Sequence, residues 1–249
     1  MNTTVIRIGE IPAISRPEAL RLAPAEFDRI VELLRSLDAE EWSRPTDCSL
    51  WDVRALVGHI VGAAEAQASV REFAHQFRAY RKHTEGSMID AMTATQVSDR
   101  ATLANDEIVE RLAAVAPKAV RGRRRLPAPV RKIRMKVDAP FDQERWTLGY
   151  LYDVIFNRDT WMHRVDISRA VGREMVLTPE HDWRIVADVV AEWARRHGRS
   201  FTLTLTGPVG ASYTSGDGGE RLELDAIEFC RILSGRAEGE GLLTTEVPF

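Results

Sequence analysis

Apolar residues recur at spacings of three and four along the N-terminal part of the chain, the periodicity of helices that bury one face. The first such segment begins at Pro24 and ends before Pro45. Its apolar positions are Phe27, Ile30, Val31, Leu33, Leu34 and Leu37. The second begins at Ser49, which forms an S-x-x-D capping box with Asp52, and it continues toward Tyr80. The pattern therefore predicts two long amphipathic helices.

Two further helical segments follow along the chain. The third helix is predicted over 106–115, with its end at Pro117, and the fourth over 147–171, where Gly172 stops it. Residues 1–20 show no regular pattern and are expected to form a loosely structured lead-in. Four helices joined in this order predict a bundle, and bundle cores commonly hold metal sites built from facing side chains.

The pattern changes after residue 172. One more helix is predicted over 179–196, and strict alternation with β-branched residues predicts a strand over 201–207. Further strands around a glycine-rich turn are predicted over 209–225, a short helix capped by Asp225 over 225–236, and a last strand over 242–249. The chain therefore divides into a helical domain over 1–172 and a smaller α+β domain over 173–249, which makes the fold class α+β.

Composition and charge restrict the class of protein. The chain is 44% hydrophobic and 29% charged, an ordinary globular balance, and its net charge is −3. This charge gives no overall attraction to nucleic acid or anionic membranes, and no apolar stretch is long enough to span a bilayer. Cys48 and Cys230 stand in no metal or redox spacing, and the N-terminus lacks a signal-peptide pattern. A cytoplasmic protein without nucleic-acid or membrane partners is expected.

A basic segment departs from this balance. Residues 118–136 contain nine basic residues and no acidic ones, and Pro127 and Pro129 are expected to prevent a continuous helix. The segment is predicted to be a solvated mobile loop. A nucleic-acid patch is disfavoured because no aromatic residues interleave with the charges. A third interpretation is a loop that borders a cleft and attracts an anionic substrate or cofactor.

One constellation has metal-ligand chemistry. Asp159 and His163 are four residues apart on the fourth helix and share a face, while His59 lies in the second helix among small neighbours. Two nitrogens and one carboxylate oxygen would hold Zn²⁺ or a similar ion and leave positions open for water or substrate. Asp166 would orient His163 or pair with a nearby arginine. Spacing alone also permits a core histidine and an ordinary helix-surface pair.

Three segments carry a resemblance to a known family. CSLWDVRALVGHI (48–60), RDTWMHRVDI (158–167) and DAIEFCRILSGR (225–236), with GLLTTEVPF at the end, resemble the mycothiol-dependent maleylpyruvate isomerase family of actinobacterial proteins, within the DinB/YfiT-like metalloprotein superfamily. The resemblance covers nearly the whole chain. It implies a four-helix bundle whose metal ligands fall on His59, Asp159 and His163. The isomerase has glutamate at the acidic position, so Asp159 is one methylene shorter.

The resemblance also implies an activity. It makes 173–249 a sterol-carrier-like domain and assigns a catalytic arginine to Arg231, with Arg236 as the other candidate. The implied cofactors are a divalent metal, zinc first, and mycothiol, whose thiolate would act on a small electrophilic substrate in isomerisation or thiol transfer. A homodimer is a possible assembly.

Two other functions remain open at this level. A non-catalytic metal- or small-ligand-binding protein would have the same ligands, since fold does not imply function. A metal-dependent hydrolase would place water where the thiol is expected.

Overall fold

The computed structural model describes residues 5–82, 88–137, 140–141 and 143–249. The chain forms two compact units, Arg16–Glu174 and a second unit made of Met1–Ser15 and Met175–Phe249. The secondary structure is mixed, which confirms the α+β class. No helix in the described part of the chain is both long and apolar enough to cross a membrane.

The helices and strands are numbered along the chain. The first part contains β1 (Val5–Arg7), α1 (Arg16–Arg35), α2 (Val53–Ala68), α3 (Val70–Lys82), α4 (Met88–Ser98) and α5 (Asn105–Arg125). The middle contains α6 (Ala128–Arg131), β2 (Arg134–Lys136), β3 (Arg145–Thr147), α7 (Leu148–Tyr150), a π-helical turn (Leu151–Ile155) and α8 (Phe156–Val171). The last part contains a π-helical turn (Pro179–Trp183), α9 (Arg184–His197), β4 (Phe201–Thr206), β5 (Ser212–Ser215), β6 (Glu220–Asp225) and α10 (Ala226–Leu233).

The four predicted helices correspond to α1, α2, α5 and α8, which pack around one apolar core. Helix α2 contacts both α5 and α8, and α1 contacts the same two helices. The core is formed by residues that are almost fully excluded from solvent, among them Ile30, Leu34, Leu56, Val57, Ile60, Ile108, Leu112 and Ile167. Burial of these side chains fixes the positions of α2 and α8 relative to each other, and both helices carry predicted ligands.

The ends of the first two helices differ from the prediction. Helix α1 begins at Arg16 and includes Pro24 in its interior. The N-cap of α2 is Asp52, because its carboxylate accepts a hydrogen bond from Ala55 N at 2.7 Å; the capping role predicted for Ser49 is wrong. The second helix does not continue unbroken, since Ser69 has extended backbone angles and separates α2 from α3.

The prediction that Pro117 ends the third helix is also wrong. Helix α5 continues to Arg125, with Pro117 inside it. Residues on both sides of the proline are buried, including Val115, Ala116, Ala119 and Val120. This tertiary burial outweighs the loss of one main-chain hydrogen bond. The basic segment 118–136 is therefore not a loop, because it contains the end of α5, then α6 and strand β2.

The second unit contains a four-stranded sheet in the order β1-β5-β4-β6. Strand β1 pairs with β5 in parallel, so Val5–Arg7 of the predicted lead-in belongs to this sheet, while residues from Arg16 onward belong to α1. The domain limits predicted at 1–172 and 173–249 differ from the compact units, which group Met1–Ser15 with Met175–Phe249 and end the helical unit at Glu174. Trp193 packs against Phe201 and Phe229 in the core. The strand predicted over 242–249 is absent from the structure, where a 3₁₀ turn spans Gly241–Thr244.

Candidate metal centre

Helices α2 and α8 bring three of the predicted site residues together. Oδ1 of Asp159 lies 3.7 Å from Nε2 of His59 and 3.3 Å from Nε2 of His163. One ligand atom from each of the three residues lies within 4.8 Å of the other two. The two imidazole rings meet edge to face with centroids 5.0 Å apart. Three donor atoms from two helices therefore point to one place.

The other nitrogen of each imidazole is hydrogen-bonded inside the helical unit. Nδ1 of His59 lies 2.7 Å from Oε1 of Gln96, and Nδ1 of His163 lies 3.0 Å from Oδ2 of Asp166. Both partners are acceptors, so in the neutral form of each ring, the form that binds a metal, Nδ1 carries the proton and Nε2 keeps a lone pair. This arrangement, in which an outer acceptor orients a metal-binding histidine, is common in metalloproteins.

The Gln96 side chain is itself fixed by a chain of hydrogen bonds. Its Nε2 donates to Oε1 of Gln76 at 2.8 Å, and Gln76 donates to the carbonyl of Gly62 at 3.0 Å and to Glu72 at 2.9 Å. Because the amide nitrogen of Gln96 is used as a donor, its oxygen is the atom that faces His59. A Cβ on Gly62 would lie 2.5 Å from the Cβ and Cγ of Gln96, so glycine makes room for this side chain.

Buried charge in the centre is balanced between the carboxylate and the imidazole. Burial alone would raise the pKa of Asp159, but the charge and hydrogen bond of His163, with those of His59, hold it well below its usual range. Burial alone would lower the pKa of His163, but Asp159 and Asp166 outweigh that effect and raise it well above its usual value. Asp159 is therefore a carboxylate, the form in which it binds cations.

The donor set fits a divalent ion. Two imidazole nitrogens and one carboxylate oxygen match catalytic zinc sites, where three protein ligands leave one position open. The imidazoles are almost fully buried, whereas the Asp159 side chain is 23% exposed, so the carboxylate side of the centre is reachable from solvent. A ring of Trp51 stacks on His59 with centroids 5.2 Å apart. The indole therefore covers one face of the imidazole.

Residues near the predicted ligands have roles that the sequence left open. Oδ2 of Asp166 also lies 3.5 Å from Sγ of Cys48, so both groups lie on the Nδ1 side of His163. Arg164 forms a buried ion pair with Glu26, in which Nε lies 2.6 Å from Oε1. The structure shows the contact between Asp166 and His163 that the sequence predicted as one of two uses for this carboxylate.

The predicted catalytic arginine lies in the second unit. Arg231 is in α10, is largely buried, and forms an ion pair with Glu228 at 2.5 Å. Its Nη2 donates to the carbonyl of Arg236, the other candidate, at 3.4 Å. The catalytic role of Arg231 stays a prediction.

Sequence reasoning missed two polar residues of the helical unit. Gln96 lies on α4, whose apolar residues are spread around the helix and produce no helical pattern. Arg123 lies in α5, within the segment predicted to be a loop, and it is almost completely buried. The sequence around neither residue predicts its position, because both residues are positioned by contacts with distant parts of the chain.

The fold and the site define a class: an α+β protein whose helical unit presents two histidines and a carboxylate from facing helices. A sequence profile of the mycothiol maleylpyruvate isomerase N-terminal domain matches residues 23–168. The match covers more than half of the chain, and the protein therefore belongs to this family. Among curated proteins, no relative matches the chain.

Two solved structures share the fold. A crystal structure of the mycothiol-dependent maleylpyruvate isomerase is 18% identical, with a TM-score of 0.57 over 98% of this chain and 98% of that one. A histidine-to-alanine mutant of the mycothiol-dependent maleylpyruvate isomerase is 16% identical, with a TM-score of 0.57 over 94% of this chain and 92% of that one. At such identities the likeness shows the fold, and it extends over both units.

Proposed function

We propose that the protein is a metal-dependent enzyme that uses a low-molecular-weight thiol, mycothiol, to isomerise a small electrophilic substrate or to transfer the thiol to it. The observation that carries this proposal is the convergence of His59 Nε2, His163 Nε2 and Asp159 Oδ1, with both Nδ1 atoms held by acceptors. Membership of the family supports the thiol, and the names of the related structures support maleylpyruvate as the first substrate to test.

The protein residues have distinct roles in this proposal. His59, Asp159 and His163 would hold the ion, for which zinc is the first choice given two nitrogens and one oxygen. A divalent ion bound there would keep a coordinated thiol ionised at neutral pH. Gln96 and Asp166 orient the two imidazoles through their Nδ1 atoms. By resemblance to the family, Arg231 would stabilise negative charge that develops on the substrate.

The acidic ligand distinguishes this chain from the isomerase pattern. Asp159 is one methylene shorter than glutamate, and its Oδ1 lies 3.3 and 3.7 Å from the two Nε2 atoms. The short side chain still places its oxygen between the two imidazoles in the structure. Asp159 is therefore kept as a ligand in the proposal. Cytoplasmic location and a homodimer stay expectations from the sequence.

The test compares wild type with Asp159→Ala, and with Asp28→Ala, which removes an exposed carboxylate on α1. Bound metal is measured by elemental analysis, and turnover is measured with mycothiol and maleylpyruvate. We expect metal and thiol-dependent turnover in wild type and in Asp28→Ala, and loss of both in Asp159→Ala.

Other outcomes would overturn the proposal. Equal metal content and activity in wild type and Asp159→Ala would remove the carboxylate from the site. Turnover without thiol would indicate a metal-dependent hydrolase in place of a thiol-using enzyme. Metal binding without turnover of maleylpyruvate or other electrophilic acceptors would indicate a binding protein.

A further inference from the structure

Arg123 is a buried cation whose hydrogen-bond partners in the described part of the chain are uncharged. The side chain lies in α5 with 2% of its surface exposed. Its Nε donates to Oε1 of Gln67 at 2.5 Å, and its Nη1 donates to Oδ1 of Asn157 at 2.9 Å. Both acceptors are amide oxygens. Among the described residues, no carboxylate forms an ion pair with this guanidinium.

Two other buried arginines of the helical unit form ion pairs. Arg100 pairs with Glu65 and Glu72, and Arg164 pairs with Glu26. A buried charge without an opposite charge is costly, and two aromatic rings offset only part of that cost. These are Phe27 and Phe156, whose ring centroids lie 5.7 and 5.5 Å from Cζ of the Arg123 guanidinium.

The guanidinium has an unused donor. Within the described part of the chain, Nη2 of Arg123 has no hydrogen-bond acceptor. This nitrogen is not completely sealed from solvent. Burial lowers the pKa of Arg123 to about 10, whereas Tyr152, Asp159 and Asp153 act in the opposite direction. The group is therefore a cation at neutral pH, and Asp159 is close enough to affect it.

The position of Arg123 connects it to the metal centre. The guanidinium lies over Phe156, which precedes Asp159 by three residues on α8, so both lie on the same side of that helix. On α2, Ala63 and Ala66 follow His59 at helical spacing, are half-buried and have little bulk. Along α2, these small and partly exposed residues lie between His59 and Gln67, the residue that accepts a hydrogen bond from Arg123.

We propose that Arg123 binds a carboxylate of the small-molecule substrate next to the His59–Asp159–His163 centre. This inference rests on the proposed function, because it names the residue that would hold the carboxylate of the substrate at that site. An incoming carboxylate would accept hydrogen bonds from Nη2 and from the free proton of Nη1, and it would supply the missing opposite charge. The carboxylate of the substrate would then lie at Arg123, and its reactive atoms would lie toward the metal ligands.

The test measures binding of maleate to the full-length, zinc-loaded protein by calorimetry. The neutral dimethyl ester of maleic acid is the control ligand. The variants are Arg123→Gln, Arg123→Lys and the matched control Arg124→Gln, which removes an exposed charge from the same helix. We expect the maleate Kd to rise about 10- to 100-fold in Arg123→Gln. Arg124→Gln should bind maleate as wild type does, and the ester should bind equally weakly to all variants.

The lysine variant keeps the test decisive if Arg123→Gln does not fold. Lysine retains the charge but not the planar pair of donors, so maleate should bind about tenfold more weakly than to wild type. Zinc content and circular dichroism of each variant are measured first. A purely structural role of Arg123 would change these two properties without a specific loss of affinity for maleate relative to its ester. Maleate affinity that is equal in wild type and Arg123→Lys, or no better than that of the ester in wild type, would overturn the assignment.

The proposed function and the role of Arg123 fail separately. Thiol-dependent turnover in wild type with unchanged maleate affinity in the Arg123 variants would leave the function standing and remove Arg123 from it. Absence of turnover with maleate affinity that depends on Arg123 would leave the carboxylate site standing and remove the thiol chemistry.

Discussion

The two faces of α2 are built from different chemistry. One face is apolar and packs in the core; its residues are Val53, Leu56, Val57, Ile60, Val61 and Ala64, each at most 2% exposed. The opposite face carries His59, whose Nδ1 is hydrogen-bonded to Gln96, and the carbonyl of Gly62, which accepts a hydrogen bond from Gln76. The apolar face tolerates small shifts because dispersion contacts are not directional, whereas the polar face depends on the position of single atoms.

The contrast separates stability from site geometry within one helix. Buried apolar surface supplies most of the free energy that holds α2 in the bundle. The buried polar atoms contribute little net stability, but each needs a partner, because an unpaired buried polar group is costly. Substitutions on the apolar face should therefore change the free energy of unfolding, and substitutions on the polar face should change metal affinity.

The largest effect is expected at the contact between α2 and α5. A Cβ on Gly122 would overlap the main-chain oxygen of Gln67, which cannot move without shifting α2. We expect Gly122→Ala to lower the free energy of unfolding by about 3 kcal/mol or more, as for overpacked cores. Urea denaturation of the metal-free protein measures it. Gly9→Ala is the control, since a Cβ there meets nothing within 4 Å. Equal stability of both variants would contradict the apolar face's role.

His59→Ala tests the polar face directly. Loss of one of three ligands should weaken zinc binding by more than about 100-fold, which exceeds the loss typical of an outer partner. The unfolding free energy of the metal-free protein should fall less than in Gly122→Ala. Zinc affinity is measured by competition with a chelating dye, and His75→Ala is the control because that histidine is exposed and contacts Asp99. Wild-type affinity in His59→Ala would rule out the proposed centre.

Gln96→Leu should have a smaller effect on the same quantity. It removes the acceptor on Nδ1 of His59, and loss of such an outer partner typically costs 10–100-fold in metal affinity. Gln96→Glu keeps an acceptor and should recover most of that affinity. Gly62→Ala should reproduce the loss, because its Cβ would lie 2.5 Å from the Gln96 side chain. If Gln96→Leu and Gln96→Glu bind zinc equally well, the orientation of His59 does not depend on this contact.

The three ligands could be predicted from the sequence because residue spacing and the helical pattern are local properties of the chain. Four-residue spacing places Asp159 and His163 on one face of any helix, and the amphipathic pattern around His59 identifies its helix. Family resemblance then selected these three residues together. The structure brings their donor atoms within 4.8 Å of one another.

The residues around the ligands could not be predicted from the sequence, because their positions depend on contacts between distant segments. Gln96 lies 37 residues from His59, and helix α4 shows no apolar periodicity that would predict it. Pro117 and the arginines after it indicate a loop by composition, yet burial of Val120 and Arg123 keeps them helical. Strand β1 exists through its pairing with β5, about two hundred residues later in the chain.

The smallest expected effect is at the outer end of the polar network, where Glu72 accepts hydrogen bonds from Gln76 and Arg100, each at 2.9 Å. Burial raises the pKa of Glu72, but these two donors outweigh it and hold the pKa below its ordinary value of 4.5. A lowered pKa in the folded state stabilises the protein above pH 4.5, and this contribution is lost as the pH falls through the folded value.

Glu72→Gln should therefore lower the Tm at pH 7 slightly, by an amount equivalent to less than about 1 kcal/mol because the carboxylate is partly exposed. The difference from wild type should shrink as the pH falls below 4.5, where the wild-type carboxylate also becomes protonated. Thermal unfolding between pH 3 and 7 measures it, with the exposed Glu32→Gln on α1 as the control. A Tm difference that stays constant over this range would show that the charge of Glu72 does not stabilise the polar face, whereas the hydrogen bond from Gln76 to the carbonyl of Gly62 would still join α3 to α2.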